Sequence, residues 1–194
     1  MRVTSTELPE LVVIEPKVFG DSRGYVLESW NQARYGDAGL PLGFVQDNLS
    51  KSSRGVLRGL HFQEPKAQGK LITVLEGEVF DVAVDIRVGS PRFGKSATMT
   101  LSGENKRQIY IPPGFAHGFC VLSEAALLMY KCTELYVPEA EGGILWNDPD
   151  LGIPWPIDEP TLSSKDARFT RLRDLDRQRL PVYRGAADRE GMRQ

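Results

Sequence analysis

Along most of this chain apolar residues come in short runs that alternate with polar ones at a period of two, the pattern of strands with a buried face. Early examples are residues 11–14, 25–30 and 57–62. The clearest is LITVLEGEVFDVAVDIRV, residues 71–88. There Phe80, Val82, Val84 and Ile86 alternate with Val79, Asp81, Ala83 and Asp85, which predicts a strand buried on one face. Apolar runs on both sides of Glu76-Gly77 predict a β-hairpin, because Gly closes a tight turn at low steric cost. Further strands are expected at 96–101, 107–111, 118–122 and 126–133, separated by SGEN, PPG and SEA, each rich in turn formers. Helical patterning is confined to residues 31–36 and the charged stretch 166–179. With no alternation of strands and helices, the fold class expected is all-β, an antiparallel jelly roll with short peripheral helices.

Length and composition narrow the picture. The 194 residues suit one domain. A net charge of -2 provides no global basic field for nucleic acid or an anionic membrane, so an anionic ligand needs a local basic pocket. The N-terminus lacks an apolar run behind a basic start, and no stretch approaches the ~18 apolar residues of a membrane span. A cytoplasmic protein is expected, with no nucleic acid or membrane as partner. Cys120 and Cys132 fall in segments that read as neighbouring strands and are close enough to pair, while a cytosolic chain keeps both reduced. Residues 1–170 are expected to form the domain. Residues 171–194, rich in Arg and poor in large apolar residues, read as a C-terminal tail that packs loosely, with Asp and Glu interspersed among the arginines.

Chemistry centres on two histidines. His61 follows Arg58 in RGVLRGLHFQ, and His117 lies in PPGFAHGF between a turn and an apolar strand. Three positions apart on a strand, Arg58 and His61 point to opposite faces unless Gly59 introduces a bulge. Lys70, just past a turn, reads equally as a strand-end lysine, and Tyr130 as a core aromatic with its hydroxyl at the rim. A catalytic metal centre takes about three protein ligands. Without a His-x-His pair the set can be completed only by carboxylates, so no metal is expected.

Taken in order, the motifs FGDSRG (19–24), QDN (46–48), RGLHFQ (58–63), AQGK (67–70), GEVFDVAVD (77–85), GSPRFG (89–94), PPGFAHGF (112–119), YKCT (130–133) and SSKD (163–166) closely resemble the dTDP-4-dehydrorhamnose 3,5-epimerases. The resemblance spans about residues 10–166. It implies a cupin-type jelly roll, a homodimer that exchanges N-terminal strands, and no cofactor. His61 matches the family's proton acceptor, Asp166 its carboxylate partner, Tyr130 the proton donor, and Lys70 the lysine beside the sugar ketone. Arg23, Glu28, Gln46, Asp47, Asn48, Arg58, His117, Glu141 and Lys165 fall on or among the substrate-binding positions, and Tyr136 on the aromatic that stacks against thymine. Departures are Phe62 where a tyrosine is usual, a slightly shorter loop before Lys70, and SSKD for the commoner SEKD.

The implied substrate is a dTDP-linked 4-keto-6-deoxyhexose, whose ketone acidifies the hydrogens at C3 and C5. Inversion needs a base on one face of the ring and an acid on the other, with a cation for the enolate between. Relatives that epimerise a single carbon, or a non-catalytic sugar-nucleotide binder on the same fold, are the alternative readings.

Overall fold

In the computed structural model, which describes residues 1–40 and 43–185, the period-two segments become two antiparallel sheets. The first runs in the order β1 (Arg2–Ser5), β2 (Val12–Glu15), β10 (Gln108–Ile111), β7 (Lys70–Glu76), β12 (Ala125–Cys132) and β5 (Gln46–Ser53). The second runs β13 (Glu141–Gly143), β6 (Leu57–Gln63), β11 (Phe115–Val121), β8 (Glu78–Asp85) and β9 (Ser96–Ser102). A separate ribbon pairs β3 (Val18–Asp21) with β4 (Gly24–Leu27). This is the all-β, antiparallel jelly-roll arrangement expected from the spacing of short strands.

Side chains from both sheets meet in one core: Ile72 and Val74 of β7, Val79 and Ala83 of β8, Leu101 of β9, Ile109 of β10, Phe119 of β11 and Leu128 of β12. Their burial supplies the main force holding the sheets together. The outer face of the first sheet is covered by α1 (Gln32–Asp37), which brings Tyr35 onto Ile14, Leu71 and Tyr110. Asn31 caps this helix by accepting from the Arg34 amide at 3.0 Å, a satisfied N-terminal donor at the expected place.

Two expectations about residues 71–88 fail. Gly77 adopts φ +77° between β7 and β8, but those strands belong to different sheets, so the expected hairpin is a corner where the chain crosses the sandwich. Alternation around a turn shows that two strands adjoin it, not that they pair. Here β7 pairs with β10 and β12, and β8 with β11 and β9. A Cβ at Gly77 would lie 2.1 Å from the Ala125 carbonyl oxygen, so the corner requires glycine on both grounds. Nor does β8 have an exposed face: Val82 and Val84, with Ile86 beyond the strand end, pack outward into a second cluster with Ile144, Leu151, Leu172 and Leu180.

That second cluster also corrects the view of the C-terminus. No helix spans 166–179; three single 3-10 turns, Asp166–Arg168, Leu172–Asp174 and Arg177–Arg179, are joined by extended residues. Phe169, Leu172 and Leu175 recur every three residues, a spacing that drifts off one face of a 3.6-residue helix. Extended linkers instead let Leu172 and Leu180 both reach the sheet, where they are 5% and 3% exposed. The strap is fastened by the Val88 amide donating to the Pro181 carbonyl at 2.7 Å and the Tyr183 amide donating to the Val88 carbonyl at 3.0 Å. Residues 171–185 are therefore packed rather than loose. The rest of the expected tail, 186–194, lies outside the described residues.

If the strap is part of the core, Leu180→Ala should lower unfolding free energy by about 2–5 kcal/mol. Arg179→Ala, beside it on the surface, should change it by no more than about 0.5 kcal/mol. Urea denaturation of the two variants checks this.

Candidate active site

Between the sheets lies a cavity of about 340 Å³. Its first wall is β6, where the sequence left open whether Arg58 and His61 share a face. Pairing of β6 with β11 shifts register between His117–His61 and Phe119–Arg58, so three steps on β6 match two on β11. This is the bulge that Gly59 was expected to allow, and it turns both Arg58 and His61 into the cavity. Gly59 sits at φ +129°, and a Cβ there would come 2.5 Å from the Gly118 Cα.

His61 is held from behind. Its Nε2 lies 2.8 Å from Oδ1 of Asp166, a carboxylate only 2% exposed. Oδ2 of Asp166 accepts from the Gly59 amide at 3.4 Å, and the Asp166 amide donates to the Ser163 hydroxyl at 3.0 Å. Burial alone would raise the Asp166 pKa; the bonds and charge from His61 outweigh it, with the Gly59 amide and Ser163 hydroxyl adding to them, and hold it below the usual value. With Nε2 tethered, Nδ1 is the ring nitrogen left to act on a ligand.

The opposite wall belongs to the other sheet. Lys70 opens β7 and Tyr130 lies on the adjacent β12, whose Cys132 is in register with Lys70. Burial pulls the Lys70 ammonium below the ordinary lysine range, against the attraction of Cys132, Glu141 and Asp81. Burial likewise pushes the Tyr130 hydroxyl up, so it is a neutral phenol at pH 7. On β5, alternation turns Gln46 and Asn48 inward. Asp47 faces the other way, 2.8 Å from the Lys131 ammonium, and does not line the cavity.

At the mouth, Glu141 Oε2 accepts from both the Tyr136 hydroxyl and the Lys165 ammonium at 2.7 Å. Burial opposes ionisation of Glu141, but these donors win and lower its pKa. Arg23 and Glu28 are not brought to this cavity within the chain. Arg23 pairs with Asp21 at 2.6 Å at the tip of the ribbon, and Glu28 with Arg34 at 2.7 Å.

Two residues that sequence reasoning passed over support the site. Buried Gln63 holds the Tyr136 loop by donating to the Leu135 carbonyl at 3.0 Å and accepting from the Val137 amide at 2.8 Å. Asp81, 1% exposed, lies 2.9 Å from Nε2 of His117, which is part of β11 rather than of the preceding turn. The sequence carried no signal for Asp81, which shares its strand face with Val79, Ala83 and Asp85. Among the described residues no group of three or more His, Cys, Asp or Glu is placed to hold a metal ion, and no helix is long and apolar enough to cross a membrane. Cys120 and Cys132 are buried, free thiols, and their strands β11 and β12 lie in different sheets rather than side by side.

The chain matches the profile of the dTDP-4-dehydrorhamnose 3,5-epimerase family over residues 5–174. An enzyme of that name from Shigella flexneri is 55% identical over 178 residues, covering 91% of this chain and 98% of its own. A dTDP-4-dehydrorhamnose 3-epimerase of Streptomyces niveus is 39% identical over 186 residues, covering 94% and 90%. The crystal structure of the Legionella pneumophila 3,5-epimerase in complex with dTDP-4-keto-L-rhamnose superposes with a TM-score of 0.91 at 52% identity, covering 95% of this chain and 99% of that one.

The carboxylate behind His61 gives a pH signature. Because the folded pKa of Asp166 is depressed, its contribution to stability is present above the unfolded value of about 3.9 and is lost as pH falls through the folded one. Asp166→Asn should thus be less stable than the parent at pH 7, and the gap should close as the solution is taken into the acid range. Thermal unfolding at a series of pH values measures it.

Proposed function

This chain belongs to the dTDP-4-dehydrorhamnose 3,5-epimerase family, and we propose that it inverts C3 and C5 of dTDP-4-dehydro-6-deoxy-D-glucose to give dTDP-4-dehydro-L-rhamnose. One observation carries the reading: His61 and Tyr130 stand on different sheets, on facing walls of one cavity. Epimerisation removes a proton from one face of a carbon and returns one to the other, so it needs a base and an acid on opposite sides of the sugar.

In this mechanism Nδ1 of His61 takes the proton from the carbon beside the ketone, and the C–H electron pair moves into an enolate with charge on the C4 oxygen. Asp166 favours the imidazolium so formed. Lys70, already in position, stabilises the oxyanion. The Tyr130 hydroxyl then donates its proton to the opposite face, and exchange with solvent resets His61 and Tyr130. Arg58 offers forked donors to the diphosphate. Tyr136, 48% exposed at the mouth, supplies a face for the thymine ring. Gln46, Asn48, His117, Glu141 and Lys165 complete the polar lining around the substrate.

We infer a homodimer in the same reading. The β3–β4 ribbon leaves Phe19, Tyr25 and Val26 exposed at 55%, 54% and 72%, an apolar arm that the Lys106 ammonium holds at the Tyr25 hydroxyl, 2.9 Å away. Laid on a second copy, it carries Arg23 and Glu28 toward the partner's cavity. The likeness to the Streptomyces 3-epimerase favours a second reading, inversion at C3 alone.

In deuterated water with dTDP-4-keto-6-deoxyglucose, deuterium should enter at both C3 and C5; entry at C3 alone would select the second reading, and no entry would reject both. His61→Asn should abolish exchange and inversion together while the nucleotide still binds. Tyr130→Phe should retain exchange at the carbon facing His61 and lose inverted product far more steeply. Equal loss of the two would overturn the division of roles.

A further inference from the structure

Asp81 lies on an inward position of β8, in register with Phe119 of β11 and Met99 of β9. One oxygen, Oδ2, meets His117; the other, Oδ1, is buried and has no hydrogen-bond partner. A carboxylate that keeps an unpaired oxygen out of water costs free energy of the order of several kcal/mol, which a purely structural role at this position does not repay. His117 is directly opposite His61 in the β11–β6 register, so the two carboxylate-backed imidazoles stand side by side on one wall, facing Lys70 on the other.

We propose that Asp81 is a positioning residue for the reaction, fixing His117 with Nε2 tethered and Nδ1 turned to the sugar, and setting a fixed negative charge across from Lys70. The proposal rests on the epimerase reading above. Its electrostatic half follows from the charged groups gathered around Lys70. Tyr130 and Cys132 on β12 are pushed toward their neutral forms, both chiefly by burial. Glu141 on β13 is committed to Lys165 and Tyr136, and Asp166 to His61. Arg58 on β6 adds positive charge, and His117 on β11 and His61 on β6 are neutral or positive. Of the two carboxylates that act on Lys70, Glu141 and Asp81, Asp81 is the fully buried one, 1% exposed. Burial lowers the Lys70 pKa, and Cys132, Glu141 and Asp81 act against that, so removing the Asp81 charge depletes the ammonium at lower pH.

The test is Asp81→Asn, which keeps size and an acceptor oxygen but removes the charge, read as the pH dependence of deuterium exchange and of kcat. Loss of an outer carboxylate behind a working histidine should cost about 10- to 100-fold in kcat, with KM less affected, and the alkaline limb of the profile should move to lower pH. A variant that is merely less stable, with kcat and the alkaline limb in place, overturns the proposal. A second measurement needs no variant: the chain holds two histidines, so ring 15N spectra of the parent resolve each neutral tautomer. His117 should carry its proton on Nε2; a proton on Nδ1 would overturn the positioning role even if Asp81→Asn does not fold. If the parent itself exchanges no deuterium, the epimerase reading fails instead, while the His117 tautomer still reports on Asp81.

Discussion

The site depends on how closely β6 approaches β11 at Gly59 and Gly118. A Cβ on Gly118 would sit 2.8 Å from the Arg58 carbonyl oxygen, and one on Gly59 would meet Gly118 in turn, so neither strand accepts a side chain there. That contact lets β6 take its bulge, and the bulge sets the direction of three groups together. Arg58 and His61 come onto one face, and the Gly59 amide points at Asp166, the carboxylate that holds His61. Without it, the two-residue period of a strand would send either the arginine or the histidine outward.

Electrostatics follow from that placement. A chain with a net charge of -2 has no reason to attract a diphosphate as a whole, yet the cavity gathers Arg58, Lys70 and two histidines. Each histidine has its own buried carboxylate, Asp166 or Asp81. Pairing is what makes such burial tolerable, since an isolated ion in a low-dielectric interior is driven toward its neutral form. Among the described residues Lys70 has no ion pair of this kind, which leaves its ammonium directions free to meet charge in the cavity, while burial lowers its pKa.

Much of this was legible in the sequence, for separable reasons. Period two and turn chemistry are local, so most of the strands could be read directly. Pairing is not local. The residues around Gly77 carry every sign of a hairpin, and what makes them a corner is that β10, β12, β11 and β9 offer better partners elsewhere in the chain. The C-terminal strap was missed for a related reason, because Leu172 and Leu180 are sparse in an arginine-rich segment and reveal their purpose only beside the outer face of β8. In the site, motif order pointed to His61, Lys70, Tyr130 and Asp166. Asp47 was carried along by its neighbours in QDN, although alternation on β5 sends it to the other side. Asp81 went unremarked because a carboxylate in a strand reads as a solvent-facing position until both faces of that strand prove to be covered.

Placing His61 and Tyr130 on different sheets has a consequence for the whole sandwich. The distance between His61 and Tyr130 is fixed by neither strand alone but by the side chains packed between the sheets, among them Ile72, Phe119 and Leu128, which also border the cavity. Interiors packed to crystal density resist changes of even one methylene, so the gap between the two walls is set by the core. Proton transfer is sensitive to displacements of about 1 Å. Core residues therefore act on the site through the spacing of its walls. The corner at Gly77, which ties β7 to β8 with no slack, joins the strand that carries Lys70 to the strand that carries Asp81. The two sheets are thus linked covalently through these two strands.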